Sequence, residues 1–150
     1  MTRGVSSDLA DVIARGEGVT VEFKRSLTKD IGRELCAFAN AGGGTVLVGV
    51  SDAGKVIGVA DHNRLKSRVL STARSADPPI EVEVESVGEI LRVAVPPQKR
   101  KPYSFGGRFF MRDGASSQQM SNAEVEDLFY AAGRLHFDRK PCLDDGERPR

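Results

Sequence analysis

Two hydrophobic periods follow one another between residues 19 and 40. Apolar and polar residues alternate over 19–24, which predicts a half-buried strand with Glu22 and Lys24 together on its polar face. From Thr28 to about Asn40 the apolar residues recur every three or four positions, as in an amphipathic helix. Thr28 is the expected N-cap of this helix. The pattern therefore predicts a strand followed directly by a helix.

A glycine turn and a second strand come next. Residues 42–44 are all glycine, and they stop the helix because glycine adopts positive φ without steric cost. Residues 45–50 are almost entirely apolar, which predicts a central strand covered on both faces. The turn SDAG at 51–54 then predicts a hairpin whose second arm is 55–59. Because these glycines precede a strand and not a helix, we interpret them as a structural turn and not a phosphate loop.

The remaining chain continues to mix helices with hairpins. The predicted elements are a helix capped by Ser6 or Ser7 and ending near Ala14, a helix near 63–75 capped by Asp61 or Asn63, a hairpin over 80–95, a hairpin strand within 105–114, and a last helix behind the capping box Ser121 and Glu124. Residues 133–150 are polar and resemble a disordered tail, so we expect one domain over 1–132. The fold class is α+β, with a mainly antiparallel mixed sheet and helices packed against it.

Composition narrows the functional classes. The 150 residues carry a net charge of +1, so any nucleic-acid binding must come from local clusters of basic residues. Cys36 and Cys142 lie far apart in sequence, and His62 and His136 are isolated, which gives no disulfide framework, zinc spacing or catalytic triad. No apolar run is long enough to span a bilayer, and the first residues lack the core of a signal peptide. We expect a cytoplasmic protein with no membrane partner.

The densest positive charge lies between residues 96 and 120, where basic and aromatic residues alternate. Basic side chains contact phosphates and aromatic rings stack on bases, so this segment is a candidate nucleic-acid surface. The alternative is an ordinary hairpin with core phenylalanines and surface arginines. Our candidate contacts are Lys99, Arg100, Lys101, Tyr103, Arg108 and Arg112. The basic residues of the 63–75 helix are interpreted as a solvated helix surface.

Three carboxylates form a candidate metal site. Glu17, Glu22 and Asp52 would converge at one end of the sheet if the two strands are neighbours, and Mg²⁺ or Mn²⁺ would relieve their mutual repulsion. Such an ion could activate water against a phosphodiester, with Lys24 steadying the developing charge. The alternative is structural: Glu22 pairs with Lys24 on the same strand face, and Asp52 makes an Asx turn.

The motifs EFK, AFAN, GGG and GVSDAG occur in this order, and residues 9–131 resemble the Schlafen AlbA-type domain family. The resemblance implies an AlbA-type α+β fold and metal-dependent cleavage of tRNA and rRNA, with Glu17, Glu22 and Asp52 at the family's acidic positions. Ser51 departs from the pattern, since many relatives have a second aspartate there. Some bacterial relatives are described instead as DNA-binding or regulatory modules.

Three functions follow as expectations. The first is nucleic-acid binding with endoribonuclease activity on structured RNA such as tRNA, using Mg²⁺ or Mn²⁺. The alternative is a regulatory module that binds DNA or RNA without cutting it. The third is a pure interaction domain, which would show no salt-dependent affinity for nucleic acid. We also expect a homodimer, because the vertebrate Schlafen core resembles two lobes across a groove and this chain has the length of one.

Overall fold

The computed structural model describes residues 7–133, and this part of the chain folds into four helices and two sheets. The helices are α1 (Ser7–Arg15), α2 (Ile31–Asn40), α3 (His62–Arg74) and α4 (Asn122–Ala131). The strands are β1 (Val21–Lys24), β2 (Gly44–Val48), β3 (Glu83–Val87), β4 (Ile90–Val95), β5 (Ser104–Phe105), β6 (Arg108–Asp113) and β7 (Ser116–Gln119). None of these helices has the length and apolar character needed to cross a membrane. The predicted α+β class is confirmed.

The first sheet has the strand order β1-β2-β4-β3. β1 runs parallel to β2, and the other neighbours are antiparallel, so the sheet is mixed. β2 is central as expected, with Val46 and Val48 packed into one hydrophobic cluster and Leu47 into another. The register pairs Glu22 with Val46 and Lys24 with Val48. Glu22 and Lys24 therefore lie on the same face of the sheet as Val46 and Val48.

Both faces of the first sheet are covered. On one face α2, α3 and the second sheet, which has the order β5-β6-β7, contribute to a large core that includes Phe38, Val69 and Phe110. On the other face α1 packs Leu9 against Phe23 and neighbouring residues in a smaller core. The first sheet is thus the middle layer, which explains why β2 is apolar throughout.

The glycine turn after α2 has a steric cause. Gly43 has φ +95°, and its N–H donates to the carbonyl of Phe38 at 2.9 Å, closing the helix. A Cβ on Gly44 would collide with the ring of Phe38, so the chain enters β2 in direct contact with the helix it has just left. The predicted turn role of these glycines is confirmed.

The predicted hairpin arm at 55–59 forms only in part, because this segment is not a strand. It folds back on the residues just after β2, through the antiparallel bridge between Val50 and Val56 and the N–H of Ile57, which donates to the carbonyl of Gly49 at 2.8 Å. It does not pair along β2 itself, because β1 and β4 already occupy both edges of that strand. The predicted hairpin over 80–95 does form, as β3 and β4.

Helix boundaries match the sequence patterns with local differences. α2 begins at Ile31 behind Asp30, and Thr28 Oγ1 accepts a hydrogen bond from the Asp30 N–H instead of capping the helix. The capping box of Ser121 and Glu124 is present at the start of α4. β7 was not expected from the sequence. The predicted tail lies outside the described residues except for Gly133, and so does the candidate cap Ser6.

Candidate functional site

Four charged side chains meet between the first sheet and the elements that cover it. Glu22 and Lys24 come from β1, Glu34 from the first turn of α2, and Arg112 from β6. Glu22 and Lys24 are two residues apart in β1, so their side chains lie on the same face of the sheet, the one that α2 covers. Glu34 lies on a face of α2 that is otherwise buried and apolar. We call these four residues the charge network.

Arg112 is the centre of the charge network. Its side chain is fully buried, and Nη1 donates to Glu22 Oε1 at 2.8 Å and to Glu34 Oε1 at 3.3 Å. Nη2 donates to the carbonyl of Gly18 at 2.7 Å. The guanidinium also lies over the ring of Phe38, 4.5 Å from its centroid. Only Nε is buried without a partner among the described residues. Arg112 thus joins β6 to β1 and α2.

Lys24 completes the charge balance. Its Nζ lies 3.0 Å from Glu34 Oε2 and 3.8 Å from Glu22 Oε2. The hydroxyl of Ser117 donates a further hydrogen bond to Glu34 Oε1. Each oxygen of the two carboxylates therefore faces a cation, and two negative charges meet two positive ones. The network is formally neutral when both glutamates are ionised.

Burial is the main electrostatic influence on Glu22. It raises the pKa of this carboxyl above its ordinary value, and the negative charges of Glu34 and Glu17 act in the same direction. The hydrogen bond and positive charge of Arg112 oppose the rise without cancelling it. The charge network therefore lies in a desolvated setting, where each ion pair depends on its partner.

Glu17 has a backbone role at the edge of the sheet. β1 is an edge strand, and Glu17 Oε2 accepts a hydrogen bond from the N–H of Phe23 at 2.8 Å. Next to it, Gly18 and Val21 form a short antiparallel bridge. These contacts satisfy backbone groups that a neighbouring strand would otherwise bind.

Asp52 is exposed in the turn after β2, and within residues 7–133 it makes no hydrogen bond or ion pair with the charge network or with Glu17. The hydrogen bonds of that turn come from Ser51: its carbonyl accepts from the N–H of Gly54 at 2.8 Å, and its Oγ accepts from the N–H of Lys55 at 3.0 Å. The expected turn is present, but Ser51 makes the side-chain contact that we had assigned to Asp52. The serine that departs from the family pattern is therefore part of the turn structure.

The carboxylates as arranged do not fit a divalent cation. Across residues 7–133, no three His, Cys, Asp or Glu side chains are placed to hold a metal ion together. Glu17 accepts a hydrogen bond from a backbone amide, Glu22 is paired with Arg112 and Lys24, and Asp52 is exposed in the turn after β2. Mg²⁺ needs several oxygen ligands with unbalanced negative charge, and the neutral charge network does not offer it.

The structure divides the candidate nucleic-acid contacts into two groups. Lys99, Arg100 and Arg108 are exposed and Lys101 is half-buried. Tyr103 is buried, and its hydroxyl accepts a hydrogen bond from the N–H of Arg100. The buried pair, Tyr103 and Arg112, cannot reach a base or a phosphate in this structure, and here the alternative interpretation as hairpin core is the better one. The other four contacts stay a prediction.

Asn40, the last residue of the AFAN motif, joins the end of α2 to the segment that contains β5 and β6. Its Nδ2 donates to the carbonyls of Tyr103 and Phe110, both at 2.9 Å, and its Oδ1 accepts from the N–H of Tyr103 at 2.6 Å. The buried thiol of Cys36 also donates to the Tyr103 carbonyl, and burial raises the pKa of Cys36 to about 11. The thiol is therefore protonated at neutral pH and is not a nucleophile.

Sequence reasoning missed Glu34, Asn40 and Ser117. Glu34 carried a signal, because at about 100° per residue it lies beside Phe38 on the apolar face of an amphipathic helix. Asn40 lies on the same side as the exposed Arg33, and its burial is seen only in the structure. A buried polar side chain requires a partner, so the position of Glu34 indicates contacts with another element. Ser117 lies in a polar stretch with nothing to distinguish it.

The fold and the charge network define a small α+β domain in which a mixed sheet is joined to a covering helix and a second sheet through buried ion pairs. The Schlafen, AlbA_2 family matches residues 17–121, which is more than half of the chain. The chain belongs to this family, which indicates a nucleic-acid-related function.

Other comparisons concern the fold alone. The crystal structure of the DIP2311 protein from Corynebacterium diphtheriae is similar, with a TM-score of 0.55 and 20% sequence identity. The match covers 76% of this chain and 24% of that protein, so the chain spans about a quarter of its length. Comparison with curated proteins gives no match.

Proposed function

We propose that this chain is a regulatory nucleic-acid-binding domain in which residues 99–101, here called the basic segment, contact phosphates. We also propose that Glu17 and Glu22 are structural. The observation that carries the second part is the charge network, in which Lys24 and Arg112 face all four carboxylate oxygens of Glu22 and Glu34. The family supports the first part.

The basic segment is held in place by its own contacts. Gln98 exchanges hydrogen bonds with the backbone of Glu81, and the N–H of Arg100 donates to the hydroxyl of Tyr103 at 2.9 Å. Lys99 and Arg100 line a cleft of about 440 Å³ next to these contacts. A basic loop that is ordered before binding loses less conformational entropy on binding, which favours phosphate contacts there.

Cleavage of structured RNA such as tRNA with Mg²⁺ or Mn²⁺ is the competing proposal. It requires Glu17 and Glu22 to leave their present partners and Asp52 to join them. Separating Glu22 from Arg112 would break the shorter of the two ion pairs of a fully buried guanidinium and leave two cations, Lys24 and Arg112, facing Glu34 alone, which is unfavourable in a desolvated setting. That cost is why the binding function is preferred.

Replacing Lys99, Arg100 and Lys101 with alanine should weaken nucleic-acid binding and flatten its salt dependence. Each lost phosphate contact reduces the slope of log K against log salt by about 0.7 to 0.9. The measurement is fluorescence anisotropy with labelled tRNA and with a DNA duplex over a range of salt concentrations. The tighter of the two ligands identifies the preferred nucleic acid.

The control for this triple variant removes three exposed bases elsewhere, Arg25, Lys29 and Lys55, and therefore the same charge. It should keep the wild-type slope. Equal losses in both variants would show that only net charge matters, and an unchanged slope in the first would exclude the segment from the interface.

The homodimer and the cytoplasmic location stay predictions from the sequence. Light scattering of the binding sample tests the first, since a symmetric pair has twice the mass of the chain. Monomer mass with binding retained would contradict it.

A further inference from the structure

Most of the exposed side chains of α3 are basic or carry a hydroxyl, and the exposed Asn63 and Leu70 lie together at one border of this surface. Leu65, Val69 and Ala73 point into the core, and the opposite side of the helix is solvent-facing. At 100° per residue, one continuous stripe covers that side. We call it the α3 face; its members are Arg64, Ser67, Arg68, Ser71, Thr72, Arg74 and Ser75.

The positive charge at the Arg64 and Arg68 end of the α3 face has no acidic residue opposite it in the cleft that these two arginines line. α3 contains no acidic residue, although the whole chain has a net charge of only +1. Within residues 7–133, Arg64 and Arg68 have no ion-pair partner, whereas Arg92 of β4 pairs with Glu85. A solvated helix surface would normally mix both signs of charge, so this face differs from an ordinary one.

Two hydroxyls of the α3 face are available as donors. Thr72 and Ser75 donate to carbonyls of the helix itself, at 2.8 Å in each case. The side-chain hydroxyls of Ser67 and Ser71, one turn apart, make no hydrogen bond within residues 7–133. Together with Arg64 and Arg68 they line a shallow cleft of about 600 Å³ that contains no carboxylate.

We propose that the α3 face binds the phosphate backbone of a nucleic acid, as a second contact surface beside the basic segment; this rests on the proposed function. Arginine and serine are side chains that commonly contact phosphate oxygens. The exposed Leu70 of α3 lies at the border of the stripe and lines a cleft with Arg74, whereas no apolar residue lines the cleft of Arg64 and Arg68, so this end lacks the anchors of a protein interface.

The α3 face and the basic segment are neighbours. A cleft containing Arg74 at the end of α3 and the cleft containing Lys99 and Arg100 share residues 79–81 as a common wall. In the Arg74 cleft two carboxylates, Glu81 and Glu83, face one arginine, whereas in the other cleft Glu81 alone faces Lys99 and Arg100; we therefore place the phosphate contacts of α3 at its Arg64 and Arg68 end. One bound strand could reach both surfaces.

The test is the double variant Arg64→Ala and Arg68→Ala. It should reduce the slope of log K against log salt by about 1.4 for a single strand or 1.8 for a duplex. The matched control is Lys29→Ala with Lys55→Ala, which removes the same charge from exposed positions off the helix. The control should keep the wild-type slope, and both variants should keep the wild-type melting temperature.

A double variant with the wild-type slope, or equal losses in variant and control, would overturn the inference. If binding still depends on residues 99–101 in that case, the proposed function stands and only the α3 face is excluded. A wild type that binds neither tRNA nor the DNA duplex would overturn both.

Discussion

Replacing Arg112 with alanine is expected to lower the free energy of unfolding by about 3–5 kcal/mol. Glu22 and Glu34 would lose the cation that both share, and the carbonyl of Gly18 would lose its donor. The stacking contact with Phe38 would also be lost. Urea denaturation of wild type and variant measures the difference.

The control for this variant is Arg108→Ala on the same strand. Arg108 is exposed, so its loss should change the unfolding free energy by no more than about 0.5 kcal/mol. If Arg112→Ala destabilises the protein no more than Arg108→Ala does, the charge network is not what joins the second sheet to β1 and α2.

Replacing Asn40 with alanine should cost about 3 kcal/mol. Three hydrogen bonds to the backbone of Tyr103 and Phe110 disappear, each worth about 1 kcal/mol in a folded protein. The same denaturation experiment applies, with the exposed Asn63→Ala on α3 as the matched control. If the free energy of unfolding falls no more than in the control, the hydrogen bonds of Asn40 do not stabilise the contact between α2 and the segment from Tyr103 to Phe110.

Local patterns in the sequence predicted most of the secondary structure. The alternation in β1, the helical period of α2 and the capping box of α4 each depend on residues close in the chain. The strand predicted at 55–59 does not form, and local patterns could not show this. They do not contain the information on which strands occupy the edges of β2. Edge occupancy is decided by distant segments.

The site was harder to predict for the same reason. Arg112 pairs with Glu22, which lies 90 residues earlier in the chain. Composition alone does not distinguish the buried Arg112 from the exposed Arg108. The strand period of β6 offered a partial signal, because Arg112 is two residues beyond Phe110 and therefore on the same face as that buried ring. An arginine on a core face requires carboxylate or carbonyl partners, and Glu22 on β1 was such a candidate.

The measurement that tests the central claim most directly compares tRNA binding and tRNA integrity in Mn²⁺ and in EDTA. Wild type and Glu22→Gln are incubated with the same labelled tRNA, and the dissociation constant and the fraction of intact RNA are read from each sample. If the carboxylates are structural, wild type should leave the RNA intact in both conditions, and Mn²⁺ should change the affinity of wild type and of Glu22→Gln by the same factor, because it then acts only on the phosphates. Cleavage by wild type in Mn²⁺ that EDTA and Glu22→Gln both abolish would contradict the account.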